Sequence, residues 1–269
     1  MRKENVLILS VLIHLLFNSC IKQNESDANN EKVSFFKNGN LKKKAFRKDS
    51  LYIVVQYDSS GCLIDSTSFD VNQNMTGIRK HLHKDSNTPY YSYVAYKNNI
   101  KEGDAWGVHL NGVKKFDGMY ENNNKVRSWN YFGRNGKRLT YEFFSLSGKR
   151  TYLRKYKNGV LQSVQGNGIG YWAYDNDTIN QGSKMAVRVG YANPPNCNVR
   201  VFVAEELDKN KEPKGDLTEY LVEENQDEFT YVRRLISKGL HEKGFGWIAL
   251  DTINKNEETD YDVLDLMVK

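Results

Sequence analysis

From Val33 onward apolar and polar residues alternate in short runs with the period of a half-buried strand, and glycine-centred breaks separate the runs. Arg150-Thr-Tyr152-Leu-Arg-Lys-Tyr156 is one such run. Six of the breaks share a form, in which an aromatic residue or histidine stands three or four positions before a glycine, usually with Asn or Ser just ahead of it. They are Phe36-Lys-Asn-Gly39, Tyr57-Asp-Ser-Ser-Gly61, His109-Leu-Asn-Gly112, Phe132-Gly-Arg-Asn-Gly136, Phe144-Ser-Leu-Ser-Gly148 and Tyr156-Lys-Asn-Gly159. Each is a hairpin signal, because Asn and Gly both tolerate the positive φ of a tight turn. Their recurrence predicts a repeat-built antiparallel β-meander over residues 33–164, in which each hairpin needs its neighbours to cover its apolar face.

The segment 165–170, containing Gly166-Asn-Gly168-Ile-Gly170, reads as a linker; it lacks the strand-loop-helix setting that a dinucleotide-binding glycine loop requires. Alternation resumes at Met185, Val187, Val189 and Tyr191, then at Val199, Val201 and Val203. It continues at Phe229, Tyr231 and Arg233, at Phe245, Trp247 and Ala249, and in a final strand from Tyr261 to Val268. Turns are expected at Asn180-Gln-Gly182, Asn193-Pro-Pro195, Glu212-Pro-Lys-Gly215, Gly239 and Asn254-Lys-Asn256. About seven strands in about a hundred residues predict a β-sandwich over 171–269. The expected fold class is therefore all-β, a meander followed by a sandwich.

The N-terminus has a different pattern. Arg2 and Lys3 precede the apolar run Val6 to Phe17, which ends at Asn18-Ser19-Cys20. A run of about a dozen residues is too short for a hydrocarbon core about 30 Å thick, so residues 1–19 read as a signal peptide. Leu16-Phe17-Asn18-Ser19-Cys20 resembles the lipobox of bacterial lipoproteins, which implies a lipid on Cys20 as the membrane attachment. Residues 20–32 are polar and almost free of large apolar groups, the composition of a disordered tether. The acidic residues after Cys20 resemble surface-export signals of Bacteroidota lipoproteins. Asp49-Ser50-Leu51, Asp65-Ser66-Thr67, Asp177-Thr178-Ile179 and Asp251-Thr252-Ile253 resemble the O-glycosylation pattern of exported proteins of that group. The expected location is the bacterial cell envelope, as an outer-membrane lipoprotein facing the periplasm or the exterior.

Gly118-Met-Tyr120 followed by Trp129-Asn-Tyr131-Phe132-Gly-Arg-Asn-Gly136-Lys137 resembles the MORN-repeat variant of bacterial lipoproteins, and Trp106-Gly107 before Asn111-Gly112 is a second copy. The resemblance runs from Ser34 to Val164, weakest between Asp70 and Tyr90. It implies a sheet scaffold that mediates contacts, with no catalytic residues. Phe229-Thr-Tyr231 followed by Gly239 and Gly244-Phe-Gly-Trp247 is similar to the late strands of immunoglobulin-like modules, without their Cys…Trp…Cys pattern.

Charge is unevenly distributed beneath the net +6. Beyond Gln165 about 12 Lys and Arg face about 19 Asp and Glu, leaving about 27 against about 14 before it. A basic front half either steers an acidic ligand or partner or lines the solvent face of the sheet with lysines that discourage edge pairing. Nucleic acid does not fit an exported protein. Cys62 and Cys197 either pair or remain as two half-buried thiols.

The candidate chemistry is sparse. His81 and His83 share one face of an extended segment, as two metal ligands would, but the sequence supplies no neighbouring third ligand. Asp175/Asp177, Glu205/Glu206 and Asp260/Asp262 are paired carboxylates of the kind glycoside hydrolysis uses, or solvated pairs at turns and edges. Asp175, Asp177 and Asp260 also fit a weak calcium site. No Gly-x-Ser-x-Gly, His-Glu-x-x-His or phosphate loop occurs. No enzyme activity, cofactor or metal is therefore expected. Aromatic residues interleaved with arginine anchor interfaces, which makes Tyr120, Arg127, Arg134, Tyr141 and Arg154 the candidate contact residues. The leading expectation is a non-enzymatic binding scaffold with a protein partner. The alternatives are an immunity lipoprotein that neutralises an exported toxin and a carbohydrate-active hydrolase.

Overall fold

The structure, a computed structural model, describes residues 31–174, 180–220, 226–234 and 239–268. The expected signal peptide, Cys20, the tether as far as residue 30, Asp175 and Asp177 lie outside the described residues. Among the described residues the chain is all-β, with nineteen strands and no helix. β1 (Lys32–Phe35), β2 (Leu41–Lys48), β3 (Leu51–Tyr57), β4 (Leu63–Phe69), β5 (Met75–His83) and β6 (Tyr90–Lys97) are followed by β7 (Ile100–His109), β8 (Lys114–Glu121), β9 (Asn124–Phe132), β10 (Arg138–Phe144), β11 (Arg150–Lys157) and β12 (Val160–Gly166). These twelve follow one another in sheet order, the expected meander. β13 (Ile169–Tyr174), β14 (Lys184–Tyr191) and β17 (Glu228–Arg234) form a three-stranded sheet in the order β13-β14-β17. β15 (Cys197–Leu207), β16 (Pro213–Tyr220), β18 (Gly239–Asp251) and β19 (Glu257–Val268) form a four-stranded one in the order β16-β15-β18-β19.

The turn chemistry departs from the expected form in an informative way. In five of the six predicted turns only the glycine has positive φ: Gly39, Gly61, Gly112, Gly136 and Gly148, between 76° and 86°. These are three-residue loops, a type I turn closed by a left-handed residue. Gly136 N–H donates to Gly133 O at 2.9 Å, and Gly133 N–H to Lys137 O at 2.9 Å. Here the asparagine acts through its side chain, Asn135 Oδ1 accepting Lys137 N–H at 3.0 Å. Only Asn158-Gly159 has both residues left-handed (55° and 85°), the mirror-image two-residue turn. Asn98-Asn99 and Asn122-Asn123 form the same turn without glycine, which is why the glycine pattern missed them.

Turn asparagines also set the repeat. Asn38 Nδ2 reaches Ser59 O (2.8 Å), Asn99 Nδ2 reaches Asn74 Oδ1 (2.8 Å) and Asn111 Nδ2 reaches Arg134 O (3.0 Å), each linking turns 21 to 25 residues apart. Gly107 and Gly118 serve a second purpose: a Cβ there would lie 2.4 Å from the Phe116 ring and 2.2 Å from the Trp129 ring. The glycine leaves backbone bare so that the next strand's ring can lie across it.

The chain divides into two compact units. The first holds the described residues up to His83 together with Ser92–Ile100; the second holds Lys84–Tyr91 and everything from Lys101. The expected boundary at 165–170 is corrected by this division, because it falls inside the second unit. Only Asn167 and Gly168 separate β12 from β13, Ile169 is 5% exposed, and a Cβ on Gly168 or Gly170 would meet the Trp247 or Phe143 ring within 2.3 Å. These glycines are packing positions rather than linker. One core joins Tyr141, Phe143 and Tyr152 of the meander to Val187, Val201, Phe229, Tyr231, Phe245 and Trp247. Phe245 of β18 meets Tyr231 of β17 at 5.8 Å, so the two small sheets face each other as a sandwich. Glu212-Pro-Lys-Gly215 and Gly239, expected as turns, begin or enter strands; the turn before β16 is Asp208–Glu212, with Lys211 at φ 65°. Cys62 and Cys197 are not joined to each other by a disulfide.

Candidate functional site

In the second unit the strand register defines two faces of β8–β10. Phe116 pairs with Tyr131 and Tyr120 with Lys125, so these share one face with Trp129; Asp117, Asn130, Tyr141 and Arg154 pair along the other. On the first face the rings form a strip. Phe116 lies 5.9 Å from Trp129 and 6.1 Å from Tyr90, and Tyr120 meets Trp129 edge-on at 5.1 Å. Lysines roof it. Lys125 Nζ stands 4.5 Å from the Trp129 centroid and donates to Tyr131 Oη at 2.6 Å. Lys101 Nζ lies 4.9 Å from the Tyr120 centroid, and Lys115 Nζ lies 4.4 Å from that of Tyr90. Such cation–π contacts contribute about 0.5–1 kcal/mol at exposed sites. Burial pulls the Lys125 ammonium below its ordinary pKa and the Lys101 charge adds to this, although Glu142 opposes it. Burial likewise lowers Lys115, with Arg134 adding to it. Among the described residues none of the three lysines forms an ion pair.

The expected contact residues are not brought together. Tyr120 belongs to the strip. Arg127 occupies a bulge in β9 at φ 56° and points a guanidinium nitrogen at Glu228 Oε2, 3.5 Å away. Arg134 is exposed in the hairpin turn. Tyr141 and Arg154 are 1% and 0% exposed, which corrects their assignment to an open contact surface. Strand alternation places both on the face that the sandwich covers, and sequence alone does not reveal the cover.

Arg154 is instead the centre of a buried network. Its guanidinium donates to Tyr152 Oη (2.8 Å), to Asp251 Oδ2 (3.3 Å) and to Glu258, and Tyr152 Oη donates to the same Glu258 carboxylate. Burial opposes the Arg154 charge, but Tyr152, Cys197 and Glu258 hold the cation above its ordinary pKa. Burial pushes the Cys197 thiol up to about 11 despite that cation. The network ties β11 to β18 and β19 and leaves the Arg154 side chain no access to solvent.

On the same face a cleft of about 770 Å³ opens, lined by Asp117, Asn130, Arg138, Tyr141, Asn198 and Asp227 among others. Tyr141 Oη meets Ser128 Oγ at 2.9 Å and accepts Asn193 N–H at 2.8 Å. Asp227 Oδ2 accepts Ser128 N–H at 3.1 Å, and burial raises its carboxyl above the usual range. Arg138 has a buried Nε without a hydrogen-bond partner. Nothing in the sequence pattern marked Arg138, because an irregularity between Arg138 and Thr140 shifts it out of the strand alternation.

In the first unit His81 and His83 do share a face, with rings 4.8 Å apart. The sequence reading missed Asp65, whose Oδ2 is 2.9 Å from His81 Nδ1. That carboxylate already accepts Arg79 Nη2 at 2.6 Å, and Thr67 donates to its other oxygen at 2.5 Å. No metal-ligand group of three occurs among the described residues. One member of each described carboxylate pair is engaged in the fold: Glu205 accepts Lys243 Nζ at 3.0 Å and Tyr231 Oη at 3.0 Å, and Asp260 accepts Ile169 N–H at 2.9 Å. Compared with known proteins, the chain matches no family model and no curated protein.

Proposed function

We propose that the chain is a lipid-anchored envelope protein that acts as a non-enzymatic binding scaffold, docking an acidic protein partner on the lysine-roofed aromatic strip of β8 and β9. The observation that carries this reading is the placement of Lys101, Lys115 and Lys125 over Tyr120, Tyr90 and Trp129 without an ion pair among the described residues. A partly desolvated ammonium gains from an arriving carboxylate, and rigid aromatics beneath it supply contact area at low entropic cost. The basic front half of the sequence supports the same sign of partner. The turn-to-turn asparagine bonds and the bare glycines under Phe116 and Trp129 support a MORN-like repeat. The order of the two small sheets supports an immunoglobulin-like sandwich, with first, second and fifth strands in one and fourth, third, sixth and seventh in the other.

Two measurements test the proposal. Cys20→Ala is expected to move the protein from membrane to soluble fractions, since a lipid chain adds about 0.8 kcal/mol per buried CH₂. Continued pelleting of the variant contradicts the anchor. The triple variant Lys101→Gln, Lys115→Gln, Lys125→Gln is expected to lose an acidic envelope protein that the native chain retains, and raised salt is expected to mimic the loss. Equal retention by both chains contradicts the docking face.

A further inference from the structure

Arg138 poses an electrostatic problem that the fold leaves open. It lines the 770 Å³ cleft, its Nε is buried without a hydrogen-bond partner, and among the described residues it forms no ion pair. Its guanidinium is held 5.2 Å from the Phe132 ring centroid. Burial lowers its pKa despite the nearby Tyr156, Asp117 and Tyr141. The acids on the same wall already accept hydrogen bonds from the fold, and burial raises the Asp227 carboxyl above the usual range. Asp117 accepts Lys114 Nζ at 2.9 Å and Asn130 Nδ2 at 2.8 Å, while Asp227 accepts Ser128 N–H and has the Arg127 charge beside it. Arg138 is therefore the charged side chain lining the cleft that has neither an ion pair among the described residues nor a hydrogen-bond partner for its Nε.

The charges are also spread along the cleft. Asp227 binds at Ser128, Asp117 pairs with Asn130, and Arg138 pairs with Phe132, so Asp227 and Arg138 lie about 13 Å apart along β9 at about 3.3 Å per residue. Asn196, Asn198 and Thr252 line the cleft with groups that both donate and accept, matching sugar hydroxyls, and Pro194 and Pro195 add a rigid apolar patch suited to the C–H face of a sugar ring. The volume falls within the range of about 300–1,000 Å³ typical of small-molecule sites. We infer that this cleft binds a short acidic carbohydrate, with the carboxylate of a sugar acid on Arg138 and its ring hydroxyls among the asparagines. This site lies on the opposite face of β8–β10 from the protein-docking strip and stands independently of it.

Titration calorimetry on the full-length chain, with digalacturonate, its neutral methyl ester and acetate as probes, tests the inference. Digalacturonate is expected to bind about tenfold or more tighter than the ester, the difference being a charge-assisted bond. Arg138→Gln is expected to bring the acid down to the level of the ester while leaving the ester unchanged. Asn198→Ala is expected to weaken both sugars and so reads the cleft even if Arg138→Gln misfolds. Equal binding of acid and ester, an unchanged affinity in Arg138→Gln, indifference of both sugars to Asn198→Ala, or acetate binding as tightly as digalacturonate would each overturn it.

Discussion

The strands of the first unit and β9–β11 of the second are written in the same hairpin grammar, yet they differ sharply in what they bury. In β1, β2 and β3 no residue is buried, and Leu82 is the one buried hydrophobic of the first unit among the described residues. In β9–β11, by contrast, Val126, Trp129, Tyr141, Phe143, Tyr152 and Leu153 are 3% exposed or less. Turn chemistry and alternation are comparable in the two regions, so neither produces the difference. The difference is a second layer: Tyr141, Phe143 and Tyr152 belong to the same core as the sandwich strands, and Arg154 bonds to Asp251 and Glu258 across it. A meander hairpin specifies its own register, but burial of its face depends on what lies over it.

The comparison can be broken most forcefully at Trp247, which is 1% exposed, donates to Ala192 O at 2.7 Å and meets Tyr152 at 5.6 Å. Trp247→Ala is expected to cost about 3–5 kcal/mol and to lower the melting of β9–β11 together with the sandwich. In β3, Val54→Ala is expected to cost only about 1 kcal/mol, since the side chain is half-buried. Local probes of denaturant unfolding in each unit read both effects. Arg154→Met comes next, at about 3 kcal/mol, because it strands Asp251 and Glu258 without their cation. Adding Glu258→Leu is expected to recover part of that loss, and a cycle showing strict additivity would remove the network from the account.

Gly136→Val is expected to cost about 1–3 kcal/mol through backbone strain alone. Its φ is 76° and the nearest atom to an added Cβ is Val113 Cγ1 at 3.8 Å, so no clash contributes. Hydrogen exchange is expected to lose protection around Trp129 to Tyr141.

The smallest effects are in pH dependence, and they have opposite signs in the two units. For Asp65, burial alone would raise the pKa, but the Arg79 and Thr67 hydrogen bonds and the Arg79 charge outweigh it, so the folded value is depressed. Its stabilisation is fully present above the unfolded value of about 3.9 and is lost as pH falls through the folded value. Asp65→Asn therefore lowers the melting temperature at pH 7, with the difference shrinking in acid. For Asp227 burial raises the folded value, so ionisation works against the fold as pH rises from about 3.9 through that value. Asp227→Asn keeps an acceptor for Ser128 N–H and is expected to raise the melting temperature slightly at pH 7 and not at pH 3.5. Thermal melts at the two pH values check both signs.

Much of the fold was legible because hairpin information is local. The glycine of Asn135-Gly136 and the alternation through Met185, Val187 and Val189 each declare a turn or a strand within a few residues, and β10 and β14 lie where they predict. Asn98-Asn99 escaped because asparagine also adopts left-handed φ without a glycine to mark it. Gly166 to Gly170 was misread because a glycine needed for flexibility and one needed to admit a ring look identical in sequence. The same limit applied to the site. Aromatic spacing singled out Tyr120, which lies in the aromatic strip, but Tyr141 and Arg154 could be placed only with the covering layer in view, and Arg138 stands at a register irregularity that hides its face.

Native-state hydrogen exchange on the full-length chain tests most directly whether the shared core, rather than the hairpin repeat, holds β9–β11. The account predicts that amides of β9–β11 open together with those of β14, β15 and β18 at one high free energy, while amides of β2–β4 exchange through a separate, lower one. Protection in β2–β4 equal to that in β9–β11, or β9–β11 opening while β18 stays closed, would contradict it.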